Sequence, residues 1–245
     1  LTKIFRQAQK SRIVINAHRV NQGEFPYVKA AAEDDFFFIE EEDPERAAEL
    51  ITQLAAERLP RHYGFDPFSD IQVLSPMYRG AAGADNLNRL LQERLNPKEA
   101  FNLPFTSRRF RLGDKVMQIR NNYDKEIFNG DIGRIVDVDR VEQQIRVEFP
   151  DRGLVPYDAA DLNELVLAYA ITIHKSQGNE YRAVVMPILT QHYVMLQRNL
   201  LYTGITRAKE LVVIVGSKRA LGIAVRNDKQ QLRYSRLATR LAEPG

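Results

Sequence analysis

Apolar residues along this chain fall alternately into short continuous runs and into stretches with helical spacing. The runs at 36–39 and 71–74 predict strands, and Asp43-Pro44 after the first predicts an N-cap and first helical residue. Asp85 is the predicted N-cap of another helix, which ends before Pro97. Later segments predict strands at 165–171, 183–189 and 211–215, with helices at about 193–206 and 217–226. This alternation predicts a doubly wound parallel sheet in which the strand 165–171 is buried on both faces.

The middle of the chain has a different pattern. Short alternating segments predict strands at 115–119, 132–138 and 145–149, and Asn129-Gly130 and Arg152-Gly153 predict turns. We therefore predict an α/β domain made of residues 1–107 and 161–245, interrupted by a small all-β module at 108–160.

Composition limits the function classes. The 245 residues contain no Cys, which excludes a thiolate nucleophile and a Cys-ligated metal. No apolar run reaches the roughly 20 residues of a membrane span, so we expect a cytoplasmic protein without membrane contact. The net charge is +3, with acidic residues concentrated at 33–49 and basic ones at 108–120 and 218–240. This asymmetry permits a nucleic-acid-binding face, although a solvated surface is the better explanation of any single cluster.

Two segments carry the candidate chemistry. In 169–181, a predicted buried strand ends in a polar, glycine-containing turn that we expect to open a helix, a place where α/β sheets bind anions. An ordinary polar loop is the alternative. In 200–209, Arg207 follows Thr203 and Thr206 and offers a planar fork to a phosphate, or else compensates a helix dipole.

These segments resemble known helicase motifs. Residues 173–181 (Ile-His-Lys-Ser-Gln-Gly-Asn-Glu-Tyr) resemble motif V of superfamily 1 helicases, and residues 202–209 (Tyr-Thr-Gly-Ile-Thr-Arg-Ala-Lys) resemble motif VI. Residues 1–8 resemble the motif with an Arg-Gln pair, and the strings at 16–23, 73–80 and 87–97 resemble the RecD-like branch. The resemblance implies a RecA-like parallel-sheet domain with an inserted SH3-like barrel, and ATP bound between this domain and an upstream RecA-like domain.

The resemblance also implies residue roles. Arg207 is similar to the arginine finger, Arg6 to a second phosphate-sensing arginine, and Glu180 to a glutamate that contacts the ribose. Gln7 and Gly178 complete the implied ATP site. The implied contacts to single-stranded DNA are Ser75, Tyr78, Arg79, Thr172, His174, Lys175, Ser176 and Gln177. In the β module, basic side chains that could face phosphates are Arg108, Arg109, Arg111, Lys115, Arg120 and Lys125.

Several expected features are missing from the sequence. It contains no Gly-x-x-x-x-Gly-Lys-Ser/Thr loop, and Glu33-Asp34-Asp35 precedes its strand, whereas a magnesium-binding Asp follows one. The chain begins with Leu inside a helical pattern, so we expect an upstream domain to supply the Walker motifs and most Mg²⁺ ligands. Its four histidines lack metal-ligand spacing, and we predict no metal site. We expect Tyr193 and Tyr202 in the core or at an interface.

The implied function is the C-terminal half of an ATP-dependent DNA helicase, inactive alone. In the full protein it would move 5′ to 3′ on single-stranded DNA and unwind duplex at single-strand/duplex junctions. A non-catalytic nucleic-acid-binding module is the alternative from another class. A nuclease subunit is a third possibility, without a carboxylate cluster to support it.

Overall fold

A computed structural model describes residues 11–98, 110–139, 141–142 and 144–228. The candidate residues Arg6, Gln7, Arg108 and Arg109 lie outside these ranges. The helices are α1 (Arg12–Asn21), α2 (Pro44–Gln53), α3 (Leu59–Tyr63), α4 (Ala84–Leu95), α5 (Arg198–Ile205) and α6 (Lys218–Arg226). The strands are β1 (Phe36–Glu40), β2 (Ile71–Ser75), β3 (Lys115–Gln118), β4 (Ile132–Asp139), β5 (Gln144–Phe149), β6 (Gly153–Tyr157), β7 (Leu165–Leu167), β8 (Ala170–Thr172), β9 (Tyr181–Ile188) and β10 (Ala208–Gly216).

One sheet is parallel and lies between two layers of helices. Its strand order is β1-β10-β9-β2-β8, and every neighbouring pair is parallel. Apolar residues of α1, α5 and α6 share a core with one face, and those of α2 and α4 share a core with the other. Because both faces are covered, β9 and β10 carry continuous buried runs, as their sequences predict.

The second sheet is antiparallel, with strand order β6-β5-β4-β3-β7. Its core contains Val116, Ile135, Ile145 and Tyr157, each fully buried. The turn predicted at Asn129-Gly130 is present, with Gly130 in the left-handed region at a φ of 105°. This sheet is the predicted β module, and it contains strand β6, which the pattern did not predict.

The predicted strand at 165–171 is wrong. Leu165–Leu167 pairs antiparallel with β3, and Ala170–Thr172 pairs parallel with β2. The chain therefore passes from one sheet to the other at Ala168 and Tyr169, both buried. Since residues 165–168 and 170–171 are all apolar, no polar position marks the change of sheet. The antiparallel sheet thus extends to Leu167, beyond the predicted module end at residue 160.

Three helix predictions also need correction. Helix α4 has Gly83, not Asp85, as its N-cap. This position requires glycine, because a Cβ at Gly83 would lie 2.4 Å from the carbonyl oxygens of Tyr78 and Arg79. The predicted helix at 193–206 is a 3-10 helix at Thr190–Met195 followed by α5. The polar turn after β8 forms a 3-10 helix at Ile173–Ser176 and leads directly into β9, so it opens no α-helix.

A buried polar cluster, here called the polar junction, connects the two sheets. The Asp114 carboxylate accepts hydrogen bonds from Gln92 Nε2 (2.6 Å), Asn96 Nδ2 (2.8 Å), the Tyr169 hydroxyl (3.0 Å) and the Arg111 backbone N–H (2.7 Å). Burial raises the pKa of Asp114, against the effect of these hydrogen bonds. Next to it, Lys115 Nζ donates to the carbonyl of Ile71 at 3.2 Å. The junction fixes the β module to the amino end of β2.

Candidate functional site

The residues that resemble motif V run from the carboxyl ends of the parallel strands to their amino ends. We call these two sides of the sheet the carboxyl edge and the amino edge. Thr172 is paired with Ser75 at the carboxyl end of β2, whereas Tyr181 is paired with Ala208 at the amino end of β10. We call residues 172–181 the crossing segment. Its buried residues Ile173 and Ser176 face the protein, so the exposed ones point away from it. One short segment thus contributes to both edges of the domain.

At the carboxyl edge, the crossing segment borders an open groove of about 780 Å³. Six residues of the predicted binding sites line this carboxyl-edge groove: Tyr78, Thr172, His174, Lys175, Gln177 and Gly178. The turn at Asn129-Gly130 of the β module also lines it. The groove therefore lies where the two sheets meet, and it contains most of the residues predicted to contact a nucleic acid.

The groove side chains differ in how they are held. His174 and Gln177 are exposed, and Tyr78 is 52% exposed. Lys175 is half-buried, and its Nζ donates to Asn129 Oδ1 at 2.8 Å, which connects the crossing segment to the β module. Thr172 is buried, and its Oγ1 accepts from the Lys175 backbone N–H as the cap of the 3-10 helix. The exposed members are the ones available to a ligand.

Two predicted contact residues instead have internal partners. Ser75 is fully buried, with its Oγ 2.9 Å from the carbonyl oxygens of both Met77 and Ala82. Ser176 is fully buried and donates to the Ile173 carbonyl at 2.7 Å. These hydroxyls shape the loops around the groove. Arg79 is exposed on the loop after β2, beside Tyr78.

At the amino edge, Arg207 joins the segments that resemble motifs V and VI. Its guanidinium donates to the Asn179 carbonyl (3.2 Å), the Thr203 carbonyl (3.3 Å) and Thr206 Oγ1 (3.3 Å). The Thr203 contact lies in the last turn of α5, so Arg207 does interact with a helix C-terminus. All three acceptors are neutral, and no carboxylate in the described part of the chain forms an ion pair with it. Its positive charge is therefore not compensated within these residues.

Glu180 and Gly178 complete this edge. Glu180 follows the Asn179 carbonyl that binds Arg207, and its exposed carboxylate lies 3.3 Å from Lys209 Nζ. Gly178 has a φ of 91°, a conformation that favours glycine and turns the chain toward the amino edge. The structure thus brings Glu180 and Arg207 to the same edge, on either side of Asn179.

Three of the four described basic residues that could face phosphates in the β module have partners within the protein instead. Lys115 and Arg111 belong to the polar junction, where Arg111 Nη1 also donates to the Asn96 carbonyl at 2.7 Å. Lys125 forms a 2.7 Å ion pair with Asp161. Of the described members of that set, Arg120 is the exposed one. Sequence position alone did not distinguish a buried cation from one that faces solvent.

The acidic string that resembles a Walker B motif has a structural role. Asp35 accepts hydrogen bonds from Ser11 Oγ (2.5 Å) and the Ile13 backbone N–H (3.0 Å) at the start of α1. Asp34 forms a 3.5 Å ion pair with Arg12. These carboxylates fasten α1 to the sheet.

Two further residues that line the groove were not identified from the sequence. Val194 and Met195 line it, and Val194 is 81% exposed. The neighbouring Tyr193 is 67% exposed, so it does not lie in the core, and its predicted alternative place at an interface stays a prediction. Beneath them, His192 is buried, and burial lowers its pKa to about 4. The neutral imidazole is therefore the stable form at neutral pH.

Comparison with known families defines the class of protein. The family described as the ATP-dependent RecD-like DNA helicase SH3 domain matches residues 87–149, and the UvrD-like helicase C-terminal domain matches residues 167–215. Among the described residues, no helix is both long and apolar enough to cross a membrane.

The relatives specify the branch. The chain is 34% identical over 230 residues to the ATP-dependent RecD2 DNA helicase of Deinococcus radiodurans, a match to 94% of this chain and 30% of that protein. It is 30% identical over 174 residues to the RecBCD enzyme subunit RecD of Mycolicibacterium smegmatis, a match to 71% of this chain and 30% of that subunit. The chain is therefore similar to RecD-like DNA helicases over nearly its whole length, and it spans about a third of the length of these relatives.

Solved structures agree on the fold. The Pif1 helicase of Candida albicans matches with a TM-score of 0.51 at 16% identity, over 94% of this chain and 57% of that chain. The Bacteroides Pif1 helicase in complex with ADP-AlF3 and ssDNA matches with a TM-score of 0.50 at 16% identity, over 87% of this chain and 51% of that chain. The predicted α/β fold with an inserted SH3-type module is confirmed.

Proposed function

We propose that this chain is the C-terminal motor half of an ATP-dependent DNA helicase that moves 5′ to 3′ on single-stranded DNA. The observation that carries the proposal is the crossing segment. It supplies exposed polar side chains to the carboxyl-edge groove, and its Asn179 carbonyl binds Arg207 at the opposite edge. A rigid connection between a nucleic-acid site and a nucleotide site is what coupling of hydrolysis to movement requires.

The nucleotide would bind at the amino edge, against an upstream RecA-like domain. Arg207 supplies a cation that has no ion-pair partner within the described ranges, and a cation so placed stabilises charge on a transferring phosphoryl group. The exposed Glu180 carboxylate, which lies 3.3 Å from Lys209 Nζ, would accept a hydrogen bond from a ribose hydroxyl. Arg6, Gln7 and Gly178 complete the proposed ATP site. No three His, Asp or Glu side chains within the described ranges converge on one point. The proposal assigns most Mg²⁺ ligands to the upstream domain.

The single strand would lie in the carboxyl-edge groove. Tyr78, His174, Lys175 and Gln177 offer a stacking face, a cation and hydrogen-bond donors that do not depend on base identity. Arg79 adds a cation next to Tyr78. Thr172, Ser75 and Ser176 would then act by holding the groove in shape. The turn at Asn129-Gly130 extends the surface toward the β module, where a single-strand/duplex junction would approach.

Replacement of Arg207 by Ala tests the nucleotide half of the proposal. In the full polypeptide that carries this chain, we expect single-stranded DNA-stimulated ATP hydrolysis to fall by a factor on the order of 10³ or more, with nucleotide binding retained. Arg182→Ala is the matched control, since Arg182 is an exposed arginine of β9 paired with Asp70 and Glu210. Unchanged turnover in Arg207→Ala would contradict the assignment, and a wild-type polypeptide without ATP hydrolysis would favour the non-catalytic alternative.

A further inference from the structure

An exposed apolar pair lies on the segment between β9 and α5. Tyr193 is 67% exposed and Val194 is 81% exposed, whereas Leu189, His192 and Leu196 around them are each 1% exposed. A single exposed apolar residue is ordinary on a protein surface. Two adjacent ones on a segment anchored by three buried residues, Leu189, His192 and Leu196, indicate a surface that is available to a ligand.

This segment is held firmly from behind. The His192 backbone N–H donates to the Leu189 carbonyl at 3.0 Å, and the Leu189 N–H donates to His192 Nδ1 at 3.3 Å. Asn227 Nδ2 donates to the Leu196 carbonyl at 2.8 Å, which ties the segment to the end of α6. The side chains of Val194 and Met195 therefore project from a fixed backbone, and a ligand would not have to order it.

Val194 and Met195 line the carboxyl-edge groove. Together with Pro76, Met77 and Tyr78 they make what we call the apolar wall, and Tyr78 is 52% exposed. The same groove is also lined by the polar residues His174, Lys175 and Gln177. It therefore offers both apolar and polar contacts, and a single-stranded nucleic acid needs both, since its phosphates are anionic and its bases present apolar faces.

We propose that the apolar wall is the base-contacting side of the groove and that Val194, with Tyr78, contacts the bases of a single strand whose phosphates face Lys175. The inference rests on the proposed function, because it assigns the orientation of the same ligand in the same groove. Base faces are common to all four bases, so contact through Val194 and Tyr78 is independent of sequence. The wall would supply affinity that does not depend on salt, and the polar residues would supply the part that does.

The test separates contacts to bases from contacts to phosphates. The probes are an oligo-dT strand and an abasic strand with the same number of phosphates, and binding to the full polypeptide is measured by fluorescence anisotropy over a series of salt concentrations. We expect Val194→Ser to weaken binding of oligo-dT about threefold to tenfold, with an unchanged salt slope. Binding of the abasic strand should change less than about twofold, because the phosphate contacts remain. Tyr78→Ala should show the same selectivity, and Tyr78→Phe should restore binding because it keeps the aromatic face.

Val141→Ser is the matched control. Val141 is 89% exposed on the turn between β4 and β5, and it does not line the groove, so the same change there should alter neither affinity. Equal losses on both strands in Val194→Ser would overturn the proposal, and so would no loss on either. If the wild-type polypeptide binds neither strand, the proposed function fails and the base-contacting wall fails with it. Wild-type binding with an unaffected Val194→Ser variant overturns the wall alone.

Discussion

The polar junction and the crossing segment are both rich in polar side chains, but the first is buried and structural, whereas the second borders an open groove. In the junction, Gln92, Asn96 and Tyr169 all direct their polar atoms at the buried Asp114. In the crossing segment, His174 and Gln177 direct theirs into a groove that is open to solvent. Polar composition is similar in the two places. What separates a structural cluster from a binding site is whether the donors already have buried partners within the protein.

The junction joins pieces that are distant in the sequence. Gln92 and Asn96 come from the end of α4, Arg111 from the loop before β3, and Tyr169 from the two-residue connection between β7 and β8. Since Lys175 binds Asn129 on the other side of the β module, that module is attached to the parallel sheet at two places. The walls of the carboxyl-edge groove, which lies where the two sheets meet, are therefore fixed by packing and hydrogen bonds.

The largest effect is expected from Asp114→Ala. Removal of the carboxylate takes away the shared acceptor of four hydrogen bonds, three from side chains and one from the Arg111 backbone N–H, and this should lower the free energy of unfolding by about 3–5 kcal/mol. Chemical denaturation followed by circular dichroism measures the loss.

Asp114→Asn serves as the graded comparison, because an amide oxygen keeps part of the acceptor capacity. It should destabilise the chain less than Asp114→Ala does. If Asp114→Ala changes stability by less than about 1 kcal/mol, water satisfies these donors and the junction is not the structural fastening described above.

A second prediction concerns the pH dependence of stability. Burial lowers the pKa of Lys115 from 10.5 to about 8, and nearby Asp66 opposes this shift. Between these two values, the unfolded chain binds the proton and the folded chain does not, so the free energy of unfolding should rise with pH across the window. The contribution from Lys115 amounts to about 3 kcal/mol between pH 7.5 and 10.5. Lys115→Met should remove it.

The measurement is the difference in stability between wild type and Lys115→Met, determined by denaturation at several pH values, since other groups titrate in the same range. Lys218→Met is the control, because Lys218 is exposed and paired with Glu40 at 2.6 Å. A stability difference for Lys115→Met that stays constant from pH 7.5 to 10.5 would show that the ammonium is solvated in the folded protein.

The parallel sheet was largely predictable from sequence because its central strands are buried on both faces. The runs at 183–189 and 211–215 coincide with β9 and β10, and Asp43 caps α2 as predicted. The same reasoning failed at 165–171, where the apolar run is continuous although the hydrogen-bonding partner changes from β3 to β2. Periodicity reports burial, and it carries no information about which strand is the neighbour.

The site was predictable in a different way. Resemblance to motif V identified the crossing segment, and the structure places His174, Lys175 and Gln177 together. It could not identify Val194, because an apolar residue inside a predicted helix normally indicates the core. Likewise the sequence could not separate Lys115 from exposed lysines, since the burial of Lys115 follows from tertiary contact between β3 and the amino end of β2.

The smallest effect is expected at Lys175, where the comparison between the two regions is sharpest. Unlike Lys115, Lys175 is half-buried beside an open groove, so Lys175→Gln should change the free energy of unfolding by less than about 0.5 kcal/mol. If its ammonium contacts a phosphate, affinity for oligo-dT should fall a few-fold and the salt slope should decrease by about 1. Lys218→Gln removes the same charge on α6 and should leave the slope unchanged. If Lys175→Gln and Lys218→Gln have the same salt slope, Lys175 makes no specific phosphate contact. Its ammonium would then have only internal partners, as that of Lys115 does.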